Sequence, residues 1–218
     1  MIRVRAIFEK CGRAKYISHL DLNRCMLRIF RRSGLPIWYT EGFNPHPYYA
    51  FALALSLGFE SSCEVLDFNI TDDGLTMDEI RDKLNAVMPE GMSIVSAAPQ
   101  QLKITAIESA NYSFTLETGA PGKLMDDINR LLGGEEILIE KKTKKGVKTV
   151  DIKPDMKVLS CKSDPSGIVM ELNLPAGTQK NYNPALFFEA LRNSGAEPFE
   201  PAHIRRTAIL CGDGTDFR

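Results

Sequence analysis

The chain has 218 residues, 44% hydrophobic and 25% charged, with a formal net charge of −1. This is the composition of an ordinary soluble globular protein with length for one large domain or two small ones. No apolar run approaches the roughly 18 residues of a transmembrane helix, and the charged start "MIRVRAIFEK" is unlike a signal peptide; the expectation is a cytoplasmic protein with no membrane contact.

Residues 2–9, "IRVRAIFE", alternate apolar and basic positions and predict a first strand. The segment "KCGRAKYI" follows as a loop. Ser18 and Asp21 then form an S-x-x-D helix start, with the hydroxyl placed to accept an orphan N–H and the acid at the positive helix end. The helix runs to about residue 33, where Gly34 ends it. At about 100° per residue, Leu22, Cys25, Met26, Ile29 and Phe30 share one face, and Arg24, Arg28, Arg31 and Arg32 share the opposite one.

An irregular stretch, residues 35–49, is rich in Pro, Gly and aromatic residues. "AFALALSLG" and "SCEVLDFNI" read as two strands, "TMDEIRDKLNAVMP" as an amphipathic helix with Ile80, Leu84 and Val87 inward, and "MSIVSAAPQ" as a closing strand. The order βαββαβ is that of a split-βαβ, ferredoxin-like unit. The second half repeats it: strand "NYSFTLET", helix "GKLMDDINRLLGG", a lysine-tipped hairpin "EEILIEKKTKKGVKTVDI", strands "MKVLSCKS" and "GIVMELNLP", helix "NPALFFEALRNSG" and strand "HIRRTAIL". The predicted fold class is α+β, with two packed ferredoxin-like halves on antiparallel sheets. Residues 1–103 carry the histidine motifs and residues 104–218 the added basic hairpin.

The near-zero net charge hides a pattern. Residues 1–34 hold nine Lys and Arg against two acids, residues 60–90 nine acids against two bases, and residues 141–162 eight lysines against two acids. Such blocks suggest a molecule with a charged side.

The segment 15–47 holds two of the three histidines, His19 and His46. Three chemistries suit it. His19, Asp21 and His46 are ligand types for a divalent metal, but no tight ligand spacing such as HExxH supports one, and no metal is expected. His19 or His46 as general base with Lys15 stabilising charge would suit metal-free RNA cleavage. In the bland alternative, both histidines hydrogen-bond their own loop and helix start. In "EGFNPHPYY" the prolines enforce extended backbone, and the loop presents Phe43, Tyr48 and Tyr49 beside the arginine helix, a combination suited to stacking on unpaired bases. The expected ligand platform is Arg24, Arg28, Arg31 and Arg32 on phosphates, Phe43, Tyr48 and Tyr49 as stacking walls, and Ser18, His19, Asp21, Asn44 and His46 as polar floor, all on one wall of a cleft. The five scattered cysteines form no CxxC and exclude a local zinc ribbon and an iron–sulfur loop. No P-loop, GxGxxG or GxSxG is present, and no cofactor is expected.

Ser18-His19-Leu20-Asp21, "GFNPHP" at 42–47, "LSLGFES" at 55–61 and Asp151-Ile152-Lys153-Pro154 occur together. In this combination the chain resembles the radical SAM-linked proteins, domain of unknown function 2344, over essentially its whole length. Thr40 stands where that family's pattern has Ser. The resemblance implies a module working beside a separately encoded radical S-adenosylmethionine enzyme, in a setting linked to RNA or the ribosome; it implies no catalytic residue. The function expected is an accessory, substrate-presenting or RNA-binding module. The alternatives are a metal-independent endoribonuclease-like enzyme using His19 or His46, and a pure interaction module for the radical SAM partner.

Overall fold

The computed structural model describes every residue except Asp73, Lys144, Lys145 and Gln179, and the backbone alone of Lys141, Lys142 and Thr143. The fold is mixed α+β, with four α-helices among the described residues and antiparallel strand pairing. No helix among them is long and apolar enough to cross a membrane.

The chain divides into two compact units. The first comprises Met1–Ala106, Arg206–Ile209 and Thr215–Arg218. It contains β1 (Ile2–Lys10), α1 (His19–Arg32), β2 (Tyr49–Phe51), β3 (Glu60–Ile70), α2 (Met77–Asn85) and β4 (Met92–Pro99). Strand β1 lies between β4 and β3, and β2 pairs with the far part of β3. Alternation in β1 sends Val4, Ala6 and Phe8 to the helix side, opposite Phe68, Leu66 and Glu64 of β3. Val4, Ala6, Phe8, Leu66 and Phe68 meet Leu22, Met26, Ile29 and Phe30 of α1 and Ile80 and Leu84 of α2 in one core. Each such side chain contributes about 1.5–3 kcal/mol when fully buried.

The second unit comprises Ile107–Arg205 and Leu210–Gly214. Strands β5 (Ile107–Glu117), β8 (Lys157–Asp164), β9 (Gly167–Pro175) and β10 (Glu200–Cys211), the last divided between the units at Arg206–Ile209, follow the order β10-β5-β9-β8. Helices α3 (Pro121–Gly133) and α4 (Ala185–Asn193) accompany them. Phe114 of β5 packs edge-on against Phe188 of α4 at 4.8 Å between ring centres. Strands β6 (Leu138–Thr143) and β7 (Gly146–Asp151) form a separate two-stranded hairpin. The predicted lysine tip falls largely at Lys144 and Lys145, outside the described residues.

Three segments differ from the sequence expectation. The loop after β1 contains a 3-10 turn, Gly12–Tyr16. Helix α2 stops at Asn85 instead of near 89, and Val87 is only half-buried. The run "AFALALSLG" is a strand only through Phe51. Beyond it the backbone finds partners outside a ladder: the Ala54 carbonyl accepts from Arg206 Nη2 at 2.7 Å, and the Gly58 N–H donates to the Lys15 carbonyl at 2.9 Å. Leu55 is buried, whereas Ala54 and Leu57 are exposed, so the apolar run there carries neither strand alternation nor a continuous buried face.

Candidate functional site

Helix α1 begins as its start signal dictates. The Ser18 hydroxyl accepts the Asp21 N–H at 3.1 Å and donates to the Asp21 carboxylate at 2.7 Å. Arg24 Nη1 bonds the other Asp21 oxygen at 3.0 Å. The Ser18 hydroxyl, and after it the Arg24 guanidinium, hold the Asp21 carboxyl below its ordinary range. Two predicted site residues, Ser18 and Asp21, are thus engaged in starting the helix.

Arg24, Arg28, Arg31 and Arg32 are all exposed. Arg24 pairs with Asp21, whereas Arg28, Arg31 and Arg32 form no ion pair among the described residues. Arg28 and Arg32 border a groove of about 280 Å³ with Cys25, Ile29 and residues 86–89 after α2. Burial pushes the Cys25 thiol up, against the opposing effect of the Arg28 charge.

The GFNPHP motif is a hairpin tip. Tyr39 bridges Pro47, the Thr40 N–H donates to the His46 carbonyl at 2.9 Å, and the Tyr48 N–H to the Trp38 carbonyl at 3.0 Å. Gly42 at φ 120° turns the chain, a conformation open to glycine. His46 Nδ1 lies 3.1 Å from Thr40 Oγ1 and 3.0 Å from the Asn44 carbonyl, and the Thr40 hydroxyl also accepts the His46 N–H at 3.2 Å. A serine hydroxyl at position 40 would supply the same lacing. Asn44 is exposed at this tip, and Phe43 is exposed in full at 112%.

The neighbours Tyr48 and Tyr49 separate because adjacent strand residues point to opposite faces. Tyr49 turns toward α1: its hydroxyl donates to the Asn23 carbonyl at 3.1 Å, and its ring lies 5.4 Å from Phe30 and 5.9 Å from Phe51. Burial pushes its phenol up. The His19 ring meets Phe51 edge-on at 5.5 Å. Tyr48 goes to the other face of the sheet and meets Trp38 edge-to-face at 5.5 Å. Tyr48 therefore lies on the sheet face turned away from α1, which carries the guanidinium row. Lys15 lies 3.8 Å from the Glu60 carboxylate. Among the described residues, no hydrogen bond or ion pair joins Lys15, His19 and His46 to one another, and no group of three His, Cys, Asp or Glu is arranged to hold a metal ion.

Two buried ion pairs in the first unit were not singled out from the sequence. Arg5 binds Asp67 in bidentate fashion, Nε to Oδ1 and Nη2 to Oδ2, both at 2.8 Å, and its guanidinium stacks 4.0 Å from the Phe217 ring. Arg206 bonds Glu64 at 2.8 Å with both side chains under 5% exposed. The β1 alternation marks Arg5 as facing away from the helices, but reads equally as a solvated face.

Residues 3–184 match the model of a family described as "Uncharacterized protein conserved in bacteria (DUF2344)". The chain belongs to this family. No curated protein matches the sequence. Among solved structures, a chain of the "Crystal Structure of a Cbf5-Nop10-Gar1 Complex" is similar with a TM-score of 0.48 and 11% identity, covering 94% of this chain. The match spans 48% of that chain, about half its length.

Proposed function

We propose that the protein is an accessory module that binds RNA and presents it to a separately encoded radical SAM enzyme in the cytoplasm. One observation carries the RNA reading: Arg28, Arg31 and Arg32 stand exposed on one helix with no acidic partner among the described residues. Guanidiniums without a protein counter-charge are the groups that displace cations from a phosphate backbone. The resemblance to radical SAM-linked proteins supports the partner. The strand orders β4-β1-β3-β2 and β10-β5-β9-β8 support reading each unit as ferredoxin-like, a frame with one open sheet face and one helical face.

The test is RNA affinity measured against salt. The wild-type protein should bind a structured RNA at low salt and lose affinity steeply as salt rises. Replacing Arg28, Arg31 and Arg32 together by Gln should flatten the log–log slope by roughly two to three, close to one per phosphate contact. Absence of binding at low salt rejects the reading. For the partner, the radical SAM enzyme should co-purify with the wild-type chain.

A further inference from the structure

The sheet face of the first unit turned away from α1 and α2 carries a cavity of about 410 Å³, lined among others by Arg3, Trp38, Tyr48, Asp67, Asn69 and Gln100. This lies within the size range of small-ligand sites, roughly 300–1,000 Å³. Strand alternation builds it. Arg3 and Asn69 are partners across β1 and β3, Arg5 and Asp67 are the next pair on the same face, and Ala50 of β2 stands opposite Asp67. The main-chain N–H of Trp38 donates to the Asn69 carbonyl at 2.8 Å, which ties this backbone to β3.

The lining has three chemistries in one place. Trp38 and Tyr48 meet at 69°, forming an aromatic corner in which a planar ring can lie on one face and abut the other. The floor is polar and held in place. The Asp67 carboxylate accepts two bonds from buried Arg5 and one from Gln100 Nε2 at 2.8 Å, so its position is fixed. Beside it stand the amide groups of Asn69 and Gln100, which donate and accept. At the rim, Arg3 is exposed with no ion pair among the described residues. A stacking corner, an edge-reading floor and a free guanidinium match the base, the hydrogen-bonding edge and the phosphate of a nucleotide.

We infer that this cavity seats one unpaired nucleotide, its base on Trp38 and Tyr48, its edge on Asp67, Asn69 and Gln100, and its phosphate on Arg3. The source of the nucleotide as part of an RNA strand rests on the function proposed above; the seat itself does not.

Trp38 is the chain's single tryptophan, so the intact protein reports on this site alone. Its emission is followed while AMP, GMP, CMP, UMP and a short single-stranded RNA are added, with ribose 5-phosphate as control. At least one nucleotide should change the emission saturably and ribose phosphate should not. Tyr48→Ala should weaken that binding on the order of tenfold. Arg3→Gln should weaken the nucleotide and leave its parent nucleoside unaffected. A response to mononucleotides with no RNA binding keeps the seat and rejects the RNA reading. RNA binding through α1 with Trp38 emission unchanged by every nucleotide and by RNA rejects the seat and keeps the RNA reading. No response from any ligand rejects the seat.

Discussion

Arg5 and Arg206 are fully withdrawn from water, at 1% and 3% exposure, while Arg28, Arg31 and Arg32 stand in it. The side chain is the same and its role is opposite. On the strands each guanidinium is answered by a carboxylate across the sheet, Asp67 or Glu64, and by main-chain carbonyls: Leu102 and Arg218 for Arg5, Ala54 for Arg206. On the helix three guanidiniums have no such answer. A buried, satisfied cation holds the fold in register and is unavailable to a ligand; an exposed, unanswered one costs the fold little and is free to meet an anion. Counting basic residues along the sequence adds the two kinds together, although only the second bears on binding.

The contrast is broken most forcefully from the buried side. Replacing Asp67 by Ala leaves the Arg5 charge buried with only carbonyl oxygens and an aromatic ring. The expected loss is about 3–5 kcal/mol, read as a lower urea midpoint, because one partner of a buried pair has been removed. Replacing Arg5 by Met and Asp67 by Leu together should recover much of that loss, since neither charge is then stranded. If Asp67→Ala costs no more than a surface substitution, the pair does not hold the sheet as described.

The same contrast shows what was legible in the sequence. Helix α1, its start at Ser18 and its two faces follow from local chemistry: a cap, a period of 3.6 and a glycine at φ 67°. Most strand cores follow from alternation. The site was less legible, because it depends on which face each residue joins. Tyr48 and Tyr49 are adjacent in sequence and lie on opposite sides of a sheet, and the same parity separates Arg3 from Val4. Phe43, Tyr48 and Tyr49 look like one loop cluster in the sequence, because nothing local announces the three-residue strand Tyr49–Phe51 that sets the alternation. Trp38 and Asn69 come together through a backbone hydrogen bond between distant segments, which no local pattern announces.

A smaller effect is expected where an exposed charge is engaged locally. Ser18→Ala removes the acceptor for the Asp21 N–H and should cost about 1 kcal/mol, visible as a reduced thermal midpoint. Asp21 adds a pH signature. Its folded carboxyl titrates below the ordinary 3.8, so its stabilising contribution is complete above that value and disappears as pH falls through the lower folded value. The difference in stability between wild type and Asp21→Asn should therefore shrink on acidification below about pH 4. A difference that stays constant across that window means the carboxylate charge contributes nothing to the helix start.

The smallest effect on the fold belongs to the arginine row, and its smallness is the informative part. Arg28→Gln, Arg31→Gln and Arg32→Gln should each change stability by no more than roughly 0.5 kcal/mol, since no ion pair is broken and the helix keeps residues of similar propensity. A neutral effect on folding joined to a flatter salt dependence of RNA binding marks side chains retained for a ligand. Loss of stability well beyond that range, with RNA affinity unmoved, places these arginines with Arg5 and Arg206 as parts of the frame, and the division between the two kinds of guanidinium then collapses.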